Sequence, residues 1–360
     1  QWNGIQCSFR PAPHDGMSNS TLAAFDSRCS EDCHLPANFT VYPLPDQLFS
    51  LPILVVVTVV CILLFLVGLT GNILTILIVL LNKDMRSTTN LYLSSMALSD
   101  LFIFLLMPID LYKLWKYRPW NFGDFICKLF QFMSECCTYS SILHITALSM
   151  ERYFAVCFPL QAKVTITRSR IRVVIALLWT LALLSAGPVF ALVGVEFDNG
   201  MDGECRCTHY AISSGLLTAM MWVSSIYFFV PVCCLSVLYG LIGRKLWRRR
   251  HITLRDRTNR KTVKMLVVIV LAFVICWLPF HIGRMLFSVS AATSEMYRIS
   301  QYFNLVSFVL FYLSAAINPI LYNLMSGRYR AAVCKLFRRQ QGVRLNVRHT
   351  SSHLEVETNV

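Results

Sequence analysis

Residues 125–157 read FICKLFQFMSECCTYSSILHITALSMERYFAVC, an apolar run that ends in the charged triplet Glu151-Arg152-Tyr153 and a last apolar turn. A bilayer core about 30 Å thick takes about 20 helical residues to cross, so this run is long enough to span it. Six more stretches qualify, at 51–81, 88–115, 170–195, 212–242, 262–288 and 301–325. Lipid offers no partner to a bare N–H or C=O, so segments this long and apolar must be helices. The composition agrees, with 56% hydrophobic and 14% charged residues. The predicted fold is an all-α membrane protein, a seven-transmembrane helix bundle over residues 51–325. A bundle with an arginine held at one rim reads as a signalling machine.

Lys and Arg near span ends are retained on the cytoplasmic side. An odd span count separates the termini, and a C-terminus inside puts most of the 33 Lys and Arg there, including Arg244, Lys245, Arg248, Arg249 and Arg250. The net charge of +14 is therefore read as topology and lipid headgroup contact, not as nucleic-acid binding. Residues 1–50 become an extracellular segment, in which the sequons Asn19-Ser20-Thr21 and Asn38-Phe39-Thr40 make Asn19 and Asn38 candidate glycosylation sites. No cleavable leader is legible there, so the first span is expected to direct insertion into the plasma membrane. Residues 326–338 are expected on the membrane surface and 339–360 in a cytoplasmic tail.

Of 14 cysteines, Cys61, Cys136, Cys137, Cys233, Cys234 and Cys276 lie in apolar spans and are expected to behave as small hydrophobes. No zinc-type spacing occurs, and no metal is expected in a coordination cluster. Cys127 at the outer start of the third span, and Cys205 and Cys207 between spans four and five, lie on the oxidising side. A disulfide from Cys127 to one of those two would tie the loop over the bundle mouth, and we assign Cys205. Cys7, Cys29 and Cys33 can pair with one another or with the leftover loop cysteine.

An intramembrane ionisable group needs a partner or an aqueous cavity. Asn72 and Asp100 face a polar centre that Ser141, Ser314 and Asn318 can complete. Asp100 is read as a monovalent cation or proton site, against the plainer reading of a structural hydrogen-bond hub. An allosteric sodium ion at Asp100, Ser141 and Asn318 is the one cofactor anticipated. Pro231, Pro279 and Pro319 interrupt spans five to seven and suggest hinges, since each removes a helical N–H bond. His144 is read as a hydrogen-bonded core histidine. A transporter or channel would show inverted repeats or a continuous polar lining, and neither is legible. Neither is the nucleophile with a base that an enzyme needs.

Gly71-Asn72, Leu98-Ser99-Asp100, Glu151-Arg152-Tyr153, Trp179, Cys276-Trp277-Leu278-Pro279 and Asn318-Pro319-Ile320-Leu321-Tyr322 occur on successive spans. In that order they resemble the rhodopsin-like G protein-coupled receptors over about residues 50–337. The resemblance implies a short membrane-surface helix after the bundle and a heterotrimeric G protein partner. It implies a switch built from Arg152, Tyr239, Trp277, Pro279, Asn318 and Tyr322, with Trp277 below the ligand pocket and Pro279 the pivot of span six. Gq/11 coupling with phospholipase C and calcium release is expected, together with receptor kinases and arrestin.

Residues 115–123 (WKYRPWNFG), Cys127-Lys128-Leu129, Val193-Gly194-Val195-Glu196 and Cys276 to Arg284 are similar to the ghrelin and motilin receptor branch of peptide receptors. Variable positions such as Asp110-Leu111-Tyr112, Leu143-His144 and Ser300 to Asn304 lean to the motilin side, while 115–132 is near the ghrelin side. Motilin is thus the first expected ligand and ghrelin the alternative. An insertion between spans four and five, expected of a mammalian motilin receptor, is absent, which weighs against that ranking or points to a non-mammalian relative. By resemblance, Glu135 and Arg284 pair across a pocket that also takes in Asp110, Gln131, Phe280, His281, Asn304 and Phe308. The charges suit a cationic peptide end; the plainer reading of the pair is a helix–helix tie.

After Tyr322, residues 327–337 alternate basic and apolar positions at helical spacing, as an interfacial helix does. Cys334 there is a candidate palmitoylation site. Thr350, Ser351 and Ser352 are candidate phosphosites, and Glu357 to Val360 resemble a PDZ ligand.

Overall fold

The computed structural model describes residues 49–116, 119–198, 202–248, 254–289, 294–325, 327 and 329–336. Asn19, Asn38, Cys7, Cys29, Cys33, the tail phosphosites and the C-terminal motif lie outside these residues, as does the side chain of Tyr322.

Seven long helices are present among the described residues: α1 (Leu51–Leu81), α2 (Thr88–Trp115), α3 (Gly123–Cys157), α5 (Arg168–Ala186), α8 (Leu216–Trp247), α9 (Leu254–Val289) and α10 (Ser294–Met325). Between them lie the short helices α4 (Pro159–Thr165), α6 (Val189–Leu192) and α7 (His209–Ser213), and the strands β1 (Val193–Asp198) and β2 (Asp202–Cys207). Side-chain caps start several helices, satisfying N–H groups that have no partner within the helix. Ser87 Oγ accepts from the Asn90 N–H at 3.3 Å, and Thr208 Oγ1 from the Ala211 N–H at 3.1 Å. Pro231, Pro279 and Pro319 lie inside α8, α9 and α10, which continue through them, and Pro108 lies likewise inside α2.

The helices close into a ring: α1 packs on α2 and α10, α10 on α9, α9 on α8, α8 on α3, and α3 on α2 and α5. The outward faces are leucine and valine, with Val56, Leu63, Leu105, Leu177 and Leu184 all exposed. The inward faces hold polar side chains, the arrangement a lipid solvent selects. Six of the seven helices are apolar enough to cross a membrane by length and composition. The seventh, α3, carries Lys128, Glu135, Glu151 and Arg152, and is surrounded by α2, α5, α8 and α9. Its polar groups therefore meet protein in place of lipid.

Two boundaries depart from the hydropathy reading. The run expected over 170–195 breaks at Gly187-Pro188, and its last three residues are strand β1. The run expected from 212 begins as α7, and α8 starts only at Leu216, because Gly215 takes a φ of 76°. That left-handed conformation ends a helix, and apolarity does not encode it.

Strands β1 and β2 pair antiparallel with Val193 opposite Cys207 and Asp198 opposite Asp202. This hairpin lies across the end of the bundle at which α3 begins, the end read as outer from the placement of the basic loops. The Cys127–Cys205 disulfide, with its Cα atoms 5.7 Å apart, joins it to α3 as assigned from the sequence. Cys207 is disulfide-bonded as well. Three hydrogen bonds reinforce the docking: Lys113 Nζ to Cys205 O at 2.9 Å, the Trp120 N–H to Gly203 O at 2.7 Å, and the Val195 N–H to Asp124 Oδ1 at 3.0 Å.

Candidate functional site

Three polar layers are stacked between the hairpin and the opposite rim. In the outer layer, α3 contributes Gln131, Glu135 and Tyr139, α9 contributes Phe280, His281 and Arg284, and α10 contributes Gln301, Asn304, Ser307 and Phe308; all are buried. Gln131 Oε1, Gln301 Oε1, both Asn304 side-chain polar atoms and Ser307 Oγ lack a hydrogen-bond partner. Burying an unsatisfied polar atom costs about 1–3 kcal/mol, so a row of them is built to be satisfied by something else.

Glu135 and Arg284 attract each other, but no ion pair within 4.0 Å joins them in this structure. Arg284 Nη1 instead donates to Ser224 Oγ at 3.4 Å, and the guanidinium lies 5.3 Å from the Phe280 ring centroid. Glu135 is thereby left able to meet a cation. His281 stacks on Phe228 of α8 with centroids 4.3 Å apart, so its ring ties α8 to α9. The Asp110 carboxylate accepts from the Tyr312 hydroxyl, and Tyr312 packs on Phe308 at 5.2 Å. Asp110 thus joins α2 to α10 on the α1 side of the bundle.

Trp277 separates the outer layer from the middle one. Its indole stacks on Phe273 at 5.7 Å and meets Phe280 and Phe311 edge-on at 6.1 and 5.6 Å. Beneath it is a cavity of about 20 Å³ lined by Asp100, Thr138, Ser141, Trp277, Ser314 and Asn318, among others. Asn318 Nδ2 donates to Asp100 Oδ2 at 3.1 Å. The structure therefore brings together the set expected around Asp100 and adds Thr138. A buried carboxylate facing hydroxyl oxygens is a donor set for a hard cation, and the space suffices for one water-sized occupant. Asn72 sits behind, donating to Gly68 O at 2.9 Å and Ala315 O at 3.2 Å.

At the inner rim Arg152 pairs with Glu151 of the same helix. Glu151 also accepts from Thr88 Oγ1 of α2 at 2.8 Å. The Tyr239 hydroxyl is held by Ser149 Oγ at 2.7 Å, and Arg260 of α9 reaches Leu246 O of α8 at 2.8 Å. The inner ends of α3, α8 and α9 are thus drawn together around Val156, Ile242, Leu246 and Val263. Arg152 is thus engaged within its own helix. His144 is held as a core histidine: Nδ1 bonds Ser140 O at 2.7 Å, Nε2 meets Ser95 Oγ at 2.9 Å, and Trp179 Nε1 donates to that same Ser95 oxygen at 2.9 Å.

The family model for the seven-transmembrane receptors of the rhodopsin family matches residues 71–322. The chain belongs to that family. It is a receptor and not an enzyme. The receptor is 59% identical over 347 residues to growth hormone secretagogue receptor type 1 of Homo sapiens, with 93% of this chain and 92% of the relative covered. It is 63% identical to the Oryctolagus cuniculus protein of the same name, covering 81% and 82%. The motilin receptor of Homo sapiens is 47% identical, covering 80% and 82%. The ranking drawn from scattered variable positions is therefore corrected. A few positions such as Leu143-His144 sample too little of the chain to outweigh identity over most of its length, and the missing insertion agrees with the correction.

Sequence reasoning missed Tyr139, Ser224, Tyr312 and Lys113 of this receptor. Lys113 is buried on α2 and was discoverable as an intramembrane cation. The other three carry no charge, and only their packing marks them. Asp124, at the outer start of α3, is held below the usual carboxylate range by hydrogen bonds from Lys128 and from the Val195 N–H. Those bonds favour its ionised form, so the anchor is intact above the ordinary carboxylate pKa, about 4, and is lost as pH falls through the lower folded value. Protection of the Val195 amide from hydrogen exchange should be flat from neutral to mildly acid pH and fall in strong acid. Asp124→Asn should abolish that acid step.

Proposed function

We propose that this receptor is of the growth hormone secretagogue type and answers to ghrelin, a peptide hormone, in preference to motilin. The observation that carries the reading is the identity of 59–63% to growth hormone secretagogue receptors against 47% to the motilin receptor. The row of unpartnered polar atoms beneath the hairpin supports a peptide ligand, whose amides and terminal ammonium can satisfy them. Calcium release in cells expressing the chain, with acylated ghrelin and motilin titrated side by side against an empty vector, tests it. Ghrelin should act at concentrations at least roughly tenfold lower, about 1.4 kcal/mol of preference. A response to motilin alone would reverse the reading, and silence with confirmed surface expression would sink the peptide assignment.

The N-terminus is extracellular and the C-terminus cytoplasmic in this reading, in the plasma membrane, with the hairpin outside. Peptide at Glu135 and Gln131 moves α9 through Phe280 and Trp277, with Pro279 as pivot. Asp100, Ser141 and Asn318 would hold a sodium ion, which supplies a positive charge opposite the carboxylate. Trp277 lies against both the peptide layer and that cavity, so a shift of its ring changes the cavity's shape. At the rim, Arg152 leaves Glu151 for a G protein, and Tyr239 exchanges its Ser149 partner to hold the open form. Tyr322 is assigned to the same rim by its motif. The two sites bias one equilibrium, and the coupling is reciprocal. Gq/11 is the proposed G protein. Receptor kinases and arrestin at the tail, palmitate on the exposed Cys334 and a PDZ protein at Val360 complete the proposed partners.

Arg152→Ala should reduce agonist-driven nucleotide exchange to the empty-vector level while surface expression and ligand binding persist, because Glu151 keeps Thr88 as a partner. Unchanged exchange in that variant would remove Arg152 from the switch.

A further inference from the structure

A groove of about 350 Å³ opens between the turn that follows α1 and the helical segment 329–336, lined by Asn82, Asp84, Met85, Ala331, Ala332 and Lys335. The segment is held against α1 by the Tyr329 hydroxyl, 2.9 Å from Thr75 Oγ1. We propose that this groove binds the headgroup of phosphatidylethanolamine from the adjoining leaflet. Asn82 Nδ2 is buried there without a hydrogen-bond partner. Asp84 and Lys335 are exposed, and neither has an ion-pair partner among the described residues. Leu80 and Leu81, immediately before the turn, are exposed at the end of α1 and supply an apolar wall for acyl chains.

The groove thus offers one anion, one cation and one amide donor at the end of a lipid-facing helix. A phosphate suits Lys335 and the Asn82 amide, and a primary ammonium suits Asp84, both by charge-assisted hydrogen bonds. An anionic lipid such as phosphatidylserine brings a carboxylate that Asp84 repels. Phosphatidylcholine carries no N–H to give Asp84. Ala331 and Ala332 have small side chains, which leave the floor open.

The test uses the full chain purified from vesicles containing phosphatidylethanolamine, phosphatidylcholine and phosphatidylserine with identical acyl chains, and counts the lipid retained per receptor. Agonist binding by each variant reports its folding. The wild type should retain the ethanolamine lipid over the choline lipid roughly tenfold. Ala331→Leu, which fills the groove without altering charge, should bring the two to parity. Asp84→Asn should erase the discrimination between those headgroups, and Lys335→Gln should lower retention of both. Equal retention by the wild type, preference for phosphatidylserine, or no effect of Ala331→Leu would each overturn the proposal.

Discussion

Gly68→Ala is expected to remove most of the folded receptor from the cell surface. A Cβ built on Gly68 would lie 2.0 and 2.2 Å from ring atoms of Phe104 in α2. Phe104 has no exposed surface, and its ring is held edge-on by Phe65 and tilted against Tyr312, each at 6.2 Å. It has nowhere to swing, so α1 and α2 would have to separate. In a free helix, alanine is favoured over glycine by about 1 kcal/mol. Overpacking a filled core costs about 1–3 kcal/mol or more, and here the sign is set by the clash. Antibody staining at the surface and the melting temperature of purified receptor should both fall. Phe104→Leu in the Gly68→Ala background should recover part of the loss. An unchanged melting temperature for the single variant would mean that the two helices are not held this close.

Breaking the Cys127–Cys205 disulfide has the second largest expected effect, and it falls on ligand response more than on the bundle. The bridge closes a separation of 78 residues and is worth about 2–4 kcal/mol in chain entropy. Without it the hairpin keeps the Lys113, Trp120 and Asp124 bonds, each worth about 1 kcal/mol net. Cys205→Ser should therefore loosen the docked hairpin without unfolding the helices, and peptide potency should fall by roughly a hundredfold, equivalent to about 3 kcal/mol. Full potency in the variant would show that the peptide does not depend on the hairpin's position.

Much of the fold was legible because the solvent is lipid. Runs of apolar residues had to be helices, and α1 and α2 begin and end where the composition changes. The hairpin at 193–207 was not legible, because Val193-Gly194-Val195 continues the apolar run of the preceding helix and only the bends at Gly187-Pro188 reveal its end. The middle layer was readable in outline: Asp100, Ser141, Ser314 and Asn318 stand out as polar groups in apolar spans, and they do share one cavity. The outer layer was readable only in part, since the uncharged Tyr139 and Ser224 were missed and Asp110 turns to Tyr312, and its pairing was not readable. Glu135 and Arg284 were expected to meet, yet Arg284 goes to Ser224 and Phe280, and His281 goes to Phe228. A charge on a helix is visible in the sequence; the rotamer that chooses between a carboxylate, a hydroxyl and an aromatic face is not.

The sequence by itself determined the number of crossings and the residues too polar to face lipid. Each of these follows from the cost of placing a group in hydrocarbon, which depends on that group alone. Only the tertiary structure decided that α3 is surrounded by other helices, that Gly68 is a contact point for Phe104, and that Tyr312 takes Asp110. These depend on which neighbour arrives from another helix, at what distance and at what angle, and no local property of the chain carries that information.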